Sequence, residues 1–415
     1  MNGRIVVTGL GLVTPIGTGR QEVWEGLLAG RSGFSPVESF DAGRHSSQIG
    51  AEVRGFRPES YLRRLDPARI GRASQFAAAA ARLALADAEL DPETVEAARA
   101  GVAMGTTSGE PLEVERFNDR FLNGGLGEGG AELATIYPCH TIAAHVAREL
   151  GFAGVNIMIP TACAAGNYAV AWAFDALRAG RADLMLAGGA DAFSRITYTG
   201  FSRLGAIAPD VCRPFDRNRK GMIPGEGAGV LVLETLERAL SRGARIYAEL
   251  AGYGLSCDSH HMTAAHPEGD GAVRAMTAAL ADSGLRAEDV DYVSAHGTGT
   301  PTNDRLEAIA VRRIFGPSPT VPVSSIKSML GHTMGAASAI EAAVCSLAIH
   351  TGWIPPTANF VEPDPDCDFD CVPNQARQVA VEVAMNNAYA FGGNNASVIF
   401  RRCERFEERF EETTV

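Results

Sequence analysis

The sequence predicts an α/β protein built from two similar halves. Short runs of β-branched residues alternate along the chain with alanine-rich segments of helical periodicity, which is the pattern of α/β domains. Glycine is enriched, at 46 of 415 residues, and glycine is what tight loops and close backbone approaches require. The pattern of the first part recurs after residue 244, so we predict an N-terminal half over 1–244 and a C-terminal half over 245–415.

The N-terminal half begins with a buried strand and continues through alternating helices and strands. Strands are predicted over 5–12, 101–104, 155–160 and 183–187, and helices over 67–90 and 164–179. The strand at 101–104 runs into the Gly/Thr loop 105–109, and the strand at 155–160 runs into the turn that holds Cys163.

The C-terminal half repeats this order more loosely. A strand is predicted over 245–255, a strand that runs into a Gly/Thr loop over 290–300, a strand over 321–325 and a helix over 336–349. The glycine-spaced stretch 8–11 corresponds to 251–254 in this repeat. The charged tail 401–415 is predicted to be a solvated end.

Composition excludes several classes of function. The net charge is −12, with 37 basic and 49 acidic residues, which argues against nucleic acid or an anionic membrane as a partner. No apolar stretch near the N-terminus reaches about 20 residues, and no signal peptide is recognisable. The eight cysteines are scattered, and Cys367 and Cys371 have no histidine or second cysteine pair beside them, so no metal site is predicted. We expect a cytoplasmic protein.

Cys163 stands where a predicted strand hands over to a predicted helix, among small residues. A thiol at a helix N-terminus is exposed to the positive end of the helix dipole, which favours the thiolate and lowers its pKa. Small neighbours allow the tight turn that a nucleophile needs. A buried core cysteine is the alternative, and on this turn alone the two interpretations are equally open.

Two histidines follow predicted strands in the second half. His296 lies in a glycine-rich loop and His332 follows Lys327 by five residues. Open α/β sheets gather their sites at the carboxyl ends of strands, so these histidines and Cys163 are candidates for one site. Among the 37 basic residues, only Lys220 and Lys327 are lysine. A lysine inside this segment therefore indicates a chemical role that arginine would not fill.

Six motifs, in order and with matching spacing, make the chain resemble the β-ketoacyl-acyl carrier protein synthases, most closely those of the synthase II type. They are 6–11, Thr161-Ala162-Cys163-Ala164, Pro214-Phe215-Asp216 with 225–229, His296-Gly297-Thr298, 327–332, and Phe391-Gly392-Gly393. The resemblance covers nearly the whole chain. It implies the thiolase fold, a duplicated βαβ core in five layers (α-β-α-β-α).

The resemblance also implies an activity. The chain would catalyse a decarboxylative Claisen condensation of an acyl chain with malonyl-acyl carrier protein, in type II fatty-acid or polyketide/polyene biosynthesis. Substrates would arrive on the phosphopantetheine of an acyl carrier protein, and no metal or redox cofactor would be needed. The partner subunit would be a second copy, giving a homodimer, or a chain-length-factor-like subunit, giving a heterodimer.

Roles follow for particular residues. Cys163 would carry the acyl group, His296 and His332 would hydrogen-bond the malonyl thioester carbonyl, and the N–H groups of Cys163 and Phe391 would form the oxyanion hole. The supporting residues that the family implies are Lys327 with Glu341, Glu307 near the first histidine, and Thr298 and Thr300 on the pantetheine arm.

The sequence departs from the family pattern around the substrate. The gating loop usually reads Phe-Gly-Phe-Gly-Gly-Thr-Asn, whereas here Tyr389, Ala390 and Asn394 replace Phe, Gly and Thr. Ser108 stands where a branched apolar residue often lines the acyl pocket, and the segment 137–140 is more polar than expected. A specialised polyene-type pathway and housekeeping fatty-acid elongation therefore both remain open.

Two rival functions and a docking surface complete the predictions. A thiolase would need a second cysteine as acid/base, and neither His296 nor His332 is replaced by one. A non-catalytic chain-length factor would lack the nucleophile. Carriers of this family are acidic, so the anionic chain needs a local basic patch, for which we expect the following arginines: Arg63, Arg64, Arg69 and Arg72.

Overall fold

The computed structural model describes residues 3–125 and 130–403, with side chains from 133 onwards in the second range. One large mixed sheet runs through the molecule. Some helices cover its outer faces, and others pack between its N-terminal and C-terminal halves. Most of the predicted charged tail, 404–415, lies outside the described residues.

The N-terminal half holds eight strands and eight helices among these residues. The strands are β1 Ile5–Thr14, β2 Gly17–Thr18, β3 Ser35–Pro36, β4 Ile49–Gly50, β5 Ala100–Gly105, β6 Asn156–Ile159, β7 Leu184–Asp191 and β8 Gly227–Thr235. The helices are α1 Arg20–Leu28, α2 Arg72–Asp87, α3 Pro111–Leu122, α4 Gly130–Ile136, α5 His140–Leu150, α6 Ala165–Arg178, α7 Arg195–Arg203 and α8 Leu236–Ser241.

The C-terminal half holds seven further strands and four helices in the described part of the chain. The strands are β9 Ala248–Cys257, β10 Tyr292–Ser294, β11 Val323–Ser324, β12 Trp353–Ile354, β13 Arg377–Gln378, β14 Val383–Tyr389 and β15 Asn394–Arg401. The helices are α9 Asp270–Ser283, α10 Pro301–Phe315, α11 Lys327–Leu330 and α12 Ala337–Thr351.

Strand order shows the duplication directly. The N-terminal strands lie in the order β1-β8-β7-β5-β6, and the C-terminal strands lie in the corresponding order β9-β15-β14-β10-β11. In each half the three strands farthest from the centre are parallel and the remaining pairings are antiparallel. The two half-sheets meet where β1 pairs with β9 over three residues. The weak internal repeat in the sequence therefore reflects two copies of one topology, while the division at 244/245 stays a prediction.

Helices separate the half-sheets into five layers. Helices α2 and α5 cover the outer face of the N-terminal half-sheet, α9 covers that of the C-terminal one, and α10 packs beside α9 in the same hydrophobic cluster. Helices α6 and α12 pack on each other and contact strands of both half-sheets. The predicted α-β-α-β-α arrangement is confirmed. The long apolar stretch Met334–Thr351, which includes α12, is 89% buried, so it is the core of the molecule and has no exposed face for lipid.

The repeated glycines mark the closest approach of strand to outer helix in each half. A Cβ at Gly11 would lie 1.8 Å from the carbonyl oxygen of Ala80 in α2, and one at Gly254 would lie 2.1 Å from that of Ala275 in α9. Any side chain at either position would push the helix off the sheet. The glycine spacing that predicted the repeat is thus a packing requirement that both halves share.

The predicted helix over 67–90 is wrong in its first turn. Pro67–Arg69 is a separate 3-10 turn in which the Asp66 carboxylate accepts from the N–H of Ala68, and Ile70 is extended. Helix α2 begins only at Arg72, where the buried Glu110 carboxylate accepts from the first free N–H groups of the helix. A cap supplied from a distant segment carries no local sequence signal.

Candidate active site

Cys163 is the middle residue of a 3-10 turn, Ala162–Ala164, between β6 and α6. Ala162 has φ of 51°, a left-handed conformation that is uncommon for alanine and that turns the chain sharply into the helix. The turn presents the thiol at the N-terminal end of α6 and at the wall of a cavity of about 380 Å³. The sequence predicted this position for the thiol correctly.

The electrostatic expectation for this thiol was wrong. Burial raises the pKa of Cys163 to about 12, while the positive charge of Lys327 lowers it by a smaller amount. The side chain is only 6% exposed, and the loss of hydration outweighs the field at the helix terminus. The resting group is therefore a thiol, and the thiolate must be stabilised by what surrounds it when it attacks.

His332 is the residue that contacts the thiol. Its Nε2 lies 3.1 Å from Cys163 Sγ, and its Nδ1 accepts from the N–H of Met334 at 3.2 Å. The backbone donor fixes the neutral tautomer, so the proton lies on Nε2 and points at sulfur. This N–H stabilises a thiolate by donating to it, and it does not remove the thiol proton.

His296 lies next to His332 and lines the same cavity. The two imidazole rings are 5.5 Å apart between centroids and nearly perpendicular, and both residues are almost fully buried. Burial first, and the charge of Lys327 second, hold the pKa of both histidines well below the usual value. Both rings are therefore neutral hydrogen-bond donors at neutral pH.

Lys327 forms a buried ion pair with Glu341 of α12, and each side chain is 1% exposed. Burial raises the pKa of Glu341 to about 7, and the lysine charge opposes that rise. A lysine at this depth must have an anionic partner. The Lys327–Glu341 pair that the family resemblance implied is present. The positive charge of the ammonium also lowers the pKa of both histidines.

Glu307 and the two threonines shape the loop that carries His296. The Glu307 carboxylate accepts from the N–H groups of His296 and Gly297, at 2.8 and 2.7 Å, and burial raises its pKa to about 8. The hydroxyls of Thr298 and Thr300 lie 2.9 Å apart on the cavity wall. Glu307 therefore supports the loop backbone, and the threonines offer hydroxyls to whatever enters.

Two aromatic residues of the gating loop line the same cavity. Phe391 is 41% exposed and stacks at a tilt against Phe201 with ring centroids 5.7 Å apart, so it lies at the mouth. Tyr389, the last residue of β14, is buried and packs edge-on against the His296 ring at 5.7 Å. The structure thus brings Cys163, both histidines and both predicted gate residues together.

Ser108 does not line this cavity, and its predicted place at the acyl pocket stays a prediction. Its N–H donates to the buried Asp191 carboxylate and its hydroxyl lies 3.3 Å from that of Thr197. The serine is half-buried in the loop after β5. It therefore lies in a polar loop outside the wall that holds Cys163.

Asp191 is a functional residue that sequence reasoning missed. At the end of β7 its carboxylate accepts from the N–H groups of Thr107 and Gly335, at 2.7 and 2.6 Å, and from the Thr106 hydroxyl. Burial raises its pKa to about 6. Asp191 ties the N-terminal loop to the turn that follows His332. An acidic residue two positions after the glycine pair of a buried strand was the signal available.

Asp304 is a second residue that sequence reasoning missed, near Glu307 on α10. Its carboxylate accepts from the N–H groups of Phe215 and Gly299, at 2.8 and 3.1 Å. It thereby joins the Pro-Phe-Asp motif to the loop of the first histidine. Both segments were identified from the sequence as family motifs, but their partner was not.

The four arginines of the predicted docking patch are not equivalent. Arg72 does not belong to a free basic surface, because its guanidinium binds the buried Glu226 carboxylate and the Val53 carbonyl. Arg64 pairs with Glu93 on the surface. Arg63 and Arg69 are exposed. The patch is therefore smaller than the sequence predicted, since distance along the chain does not show which cations are already paired.

No cluster of three or more histidine, cysteine or acidic side chains able to hold a metal ion occurs within 3–125 and 130–403. Cys367 and Cys371 are buried free thiols. The cavity at Cys163 instead combines a nucleophile, two neutral N–H donors and two hydroxyls, and this set suits acyl transfer and the stabilisation of a developing oxyanion.

Comparison with known proteins agrees with this chemistry. The N-terminal domain of the beta-ketoacyl synthase family matches residues 2–239, and the C-terminal domain matches residues 247–361. A 3-oxoacyl-[acyl-carrier-protein] synthase 2 of Synechocystis sp. is 40% identical over 407 residues, which cover 96% of this chain and 98% of the relative.

Two solved structures are similar over nearly the whole length. The ishigamide ketosynthase/chain length factor is 45% identical with a TM-score of 0.94, covering 97% of this chain and 100% of that one. The second is described as a type II polyketide synthase acyl carrier protein in complex with its ketosynthase bound to the hexaketide. It is 34% identical with a TM-score of 0.88, covering 97% of this chain and 100% of that one. The chain therefore belongs to the β-ketoacyl synthase family and is an elongating acyltransferase with the thiolase fold.

Proposed function

We propose that the protein condenses a carrier-bound acyl chain with a malonyl-carrier thioester, with Cys163 as the covalent nucleophile. The observation that carries the proposal is the contact of Cys163 Sγ with His332 Nε2 at 3.1 Å, in a cavity that His296 also lines. In the first step, sulfur attacks the acyl thioester, the carrier thiolate leaves and takes up the cysteine proton, and an acyl-cysteine thioester remains.

The two histidines serve the second step. When a malonyl thioester enters, its carboxylate leaves as carbon dioxide and the bonding pair forms an enolate, with the charge on the thioester oxygen. Two neutral N–H donors at that oxygen stabilise the charge without a compensating proton transfer. The enolate carbon then attacks the acyl-cysteine carbonyl, and collapse of the adduct releases the Cys163 thiolate and the β-ketoacyl carrier product.

The adduct needs its own oxyanion donors, and we assign these to the backbone N–H groups of Cys163 and Phe391. Cys163 is the middle residue of the turn at the N-terminus of α6, where N–H groups are not used by the helix. Phe391 lies at the mouth of the same cavity and is followed by two glycines. No bound cofactor is part of this scheme, because the phosphopantetheine arm comes with the substrate and contacts Thr298 and Thr300.

For the acyl chain we propose an unsaturated or oxygenated substrate of a specialised type II pathway. The loop after β5 carries the Ser108 hydroxyl where the family often has a branched apolar group. The hydroxyl of Thr107 in the same loop is buried and has no partner among the described residues, and the Ser108 hydroxyl lies 3.3 Å from that of Thr197. Unpaired buried hydroxyls disfavour a saturated alkyl chain and favour one that offers polar or polarisable groups. Similarity to a type II polyketide ketosynthase that was solved bound to a hexaketide supports a polyketide pathway.

For partners we propose an acyl carrier protein and a subunit of the same fold, either a second copy or a chain-length-factor-like chain. The structural relatives include a ketosynthase with its carrier and a ketosynthase with a chain length factor. Arg63 and Arg69 supply exposed positive charge for the carrier. Arg203 and Lys220, which the sequence analysis did not select, are exposed beside the cavity-lining residues Leu204 and Gly221.

The test of this function is a competition between acyl carriers that differ only in their chains. The purified protein, alone and with a co-expressed chain-length-factor-like subunit, receives saturated and polyenoic acyl carriers of equal length plus malonyl carrier. Intact-protein mass spectrometry then measures the acyl group on Cys163, and product analysis measures condensation. We expect acylation with both and faster condensation of the polyenoic chain.

The matched control is Ser108→Ile, which restores the family's usual residue type. It is expected to reduce the preference for the polyenoic chain and to leave malonyl decarboxylation unchanged. No acyl-cysteine with any carrier would contradict the condensation itself. Equal turnover of both chains in the native protein and in Ser108→Ile would contradict the proposed specialisation and leave the reaction intact.

A further inference from the structure

The two active-site histidines differ in what holds their second nitrogen. His332 Nδ1 accepts a backbone N–H from Met334, so its tautomer is fixed by the chain. His296 Nδ1 is buried and has no hydrogen-bond partner anywhere in the described ranges. The backbone N–H groups of the His296 loop are directed instead to Glu307. Nothing in this loop therefore chooses between the two neutral tautomers of His296.

A second orphaned polar atom belongs to a residue that packs on the same ring. The Tyr389 hydroxyl likewise lacks a partner among the residues that the structure describes, and the side chain is only 9% exposed. Its ring packs edge-on on the His296 imidazole, with centroids 5.7 Å apart and planes at 63°. The family pattern has phenylalanine here, so this hydroxyl is a departure of this chain.

The two groups are chemically complementary. A neutral imidazole nitrogen without a proton accepts one hydrogen bond, and a neutral phenol donates one. Burial, and secondarily the charge of Glu307, hold the pKa of Tyr389 well above its usual value, so the phenol keeps its proton. Leaving two neighbouring buried groups unpaired would cost about 1–3 kcal/mol each, and one water bonded to both removes both costs.

We propose that Tyr389 is a positioning residue for His296: one bound water accepts a hydrogen bond from the Tyr389 hydroxyl and donates one to His296 Nδ1. The bond holds the ring in the tautomer with its proton on Nε2, the same tautomer that the backbone gives His332. Both histidines then present an N–H to the malonyl carbonyl. This last consequence rests on the proposed function, whereas the tautomer itself does not.

The test removes the hydroxyl and keeps the ring, as Tyr389→Phe. Nitrogen-15 NMR of histidine-labelled protein at neutral pH reports the tautomer of each ring without any substrate. We expect His296 to shift from the Nε2–H form toward a mixture, while His332 stays unchanged as an internal reference. For malonyl-carrier decarboxylation, kcat should fall about tenfold, the equivalent of one hydrogen bond, with KM within about twofold. Acylation of Cys163 should not change.

Tyr253→Phe is the matched control, because its hydroxyl bonds Asp175 outside the cavity and its loss should move neither readout. Unchanged His296 nitrogen shifts in Tyr389→Phe would overturn the proposal. So would a loss confined to KM, or to acylation, because it would place the hydroxyl on the substrate. Failure of the native protein to condense at all would instead count against the proposed function, and the NMR result would still decide the role of Tyr389.

Discussion

The two halves of the molecule contain the same turn and use it for different chemistry. In the N-terminal half, Ala162–Ala164 is a 3-10 turn that leads into α6, and Ala162 has φ of 51°. In the C-terminal half, Met334–Ala336 is a 3-10 turn that leads into α12, and Met334 has φ of 54°. Both turns precede a buried central helix, and the two helices pack on each other.

The middle residue of the turn makes the difference. In the first turn it is Cys163, whose side chain reaches the cavity. In the second it is Gly335, where a Cβ would lie 2.6 Å from both Asp191 and the Thr106 backbone. The second turn therefore acts through its backbone: the Gly335 N–H binds Asp191 and the Met334 N–H binds His332. One copy of a duplicated motif supplies the nucleophile, and the other supplies the scaffold that orients its partner.

The largest effect is expected from removing the side chain of the first turn. Cys163→Ala should lower acyl transfer and condensation roughly a thousandfold or more, because no covalent intermediate can form. Thermal unfolding should stay within a few degrees of the native protein, since alanine fits a turn already flanked by alanines. Mass spectrometry of the protein after incubation with acyl carrier checks the loss. An acyl adduct that persists in this variant would refute the nucleophile.

Alanine variants of the two histidines should differ in which reaction step they slow. His296→Ala should lower malonyl decarboxylation about 10²–10³-fold and leave Cys163 acylation nearly intact, since it is His332 whose Nε2 contacts the sulfur. His332→Ala should impair decarboxylation similarly and also slow acylation, because its Nε2 is the donor that contacts Sγ. Separate assays of acyl-enzyme formation and of carbon dioxide release measure the two steps. If both variants lost acylation equally, the assigned division of labour would be wrong.

Much of this comparison could be predicted from sequence, and the reason is physical. The glycines at 9, 11, 252 and 254 are imposed by close strand–helix packing, so they mark the repeat even though the surrounding residues differ. Cys163, His296 and His332 follow strands, and strand ends define sites in such sheets. Their convergence could therefore be inferred before any distance was known.

Other features depend on contacts between distant segments and left no local signal. Asp191 and Gly335 are 144 residues apart, and only the folded chain shows that one accepts the N–H of the other. The pKa of Cys163 was predicted in the wrong direction because the helix terminus is visible in sequence and the complete burial is not. Arg72 was assigned to the surface because its partner Glu226 lies 154 residues away.

The charge beside the second turn should set the pH dependence. Burial and Lys327 both lower the pKa of His332, and protonation at Nδ1 would bring its new N–H against that of Met334. Removing the charge while keeping a neutral core, as Lys327→Met with Glu341→Leu, should raise the histidine pKa. The acid limb of decarboxylation should then move to higher pH, so that activity at pH 6 falls several-fold relative to pH 8.

Lys327→Arg provides the matched comparison, because it keeps the charge and changes the shape. A guanidinium is bulkier than an ammonium in this packed site, so kcat should fall while the acid limb stays where it is in the native protein. Rate profiles from pH 5.5 to 8.5 for both variants distinguish the two effects. An acid limb that does not move in the Lys327→Met, Glu341→Leu variant would show that the ammonium does not tune the histidines.

A smaller effect is expected from adding a side chain to the second turn. Gly335→Ala should cost about 1–3 kcal/mol of unfolding free energy, since the new methyl group meets backbone atoms that cannot move aside. The shift of the turn should disturb His332 and lower decarboxylation more than acylation. Gly200→Ala is the control, because no atom lies within 4 Å of its added Cβ. Equal stability of the two variants in denaturant titrations would contradict the packing argument.

The halves also differ in the segment that precedes the outer helix. Before α2 this segment carries Arg63 and Arg69 on the surface, whereas before α9 the corresponding stretch 258–270 contains three histidines and no arginine or lysine. Part of the latter, Thr263 to Ala265, lines the cavity. The same position in the repeat thus faces bulk solvent with positive charge in one half and borders the site in the other.

The weakest effect is expected at that charged segment. The chain carries −12 overall, so an acidic carrier must find local positive charge within about 10 Å, the screening length at 0.1 M salt. Arg63→Glu with Arg69→Glu should raise the KM for carrier substrates about three- to tenfold and flatten the salt dependence, mainly through the association rate. Turnover of a small pantetheine thioester should not change, because it needs no docking surface. Arg286→Glu, a charge reversal on an exposed turn at the opposite end of β10 from His296, serves as the control. Carrier and pantetheine substrates that suffered alike would show that Arg63 and Arg69 support the fold, and docking would then fall to other cations at the mouth, such as Arg203 and Lys220.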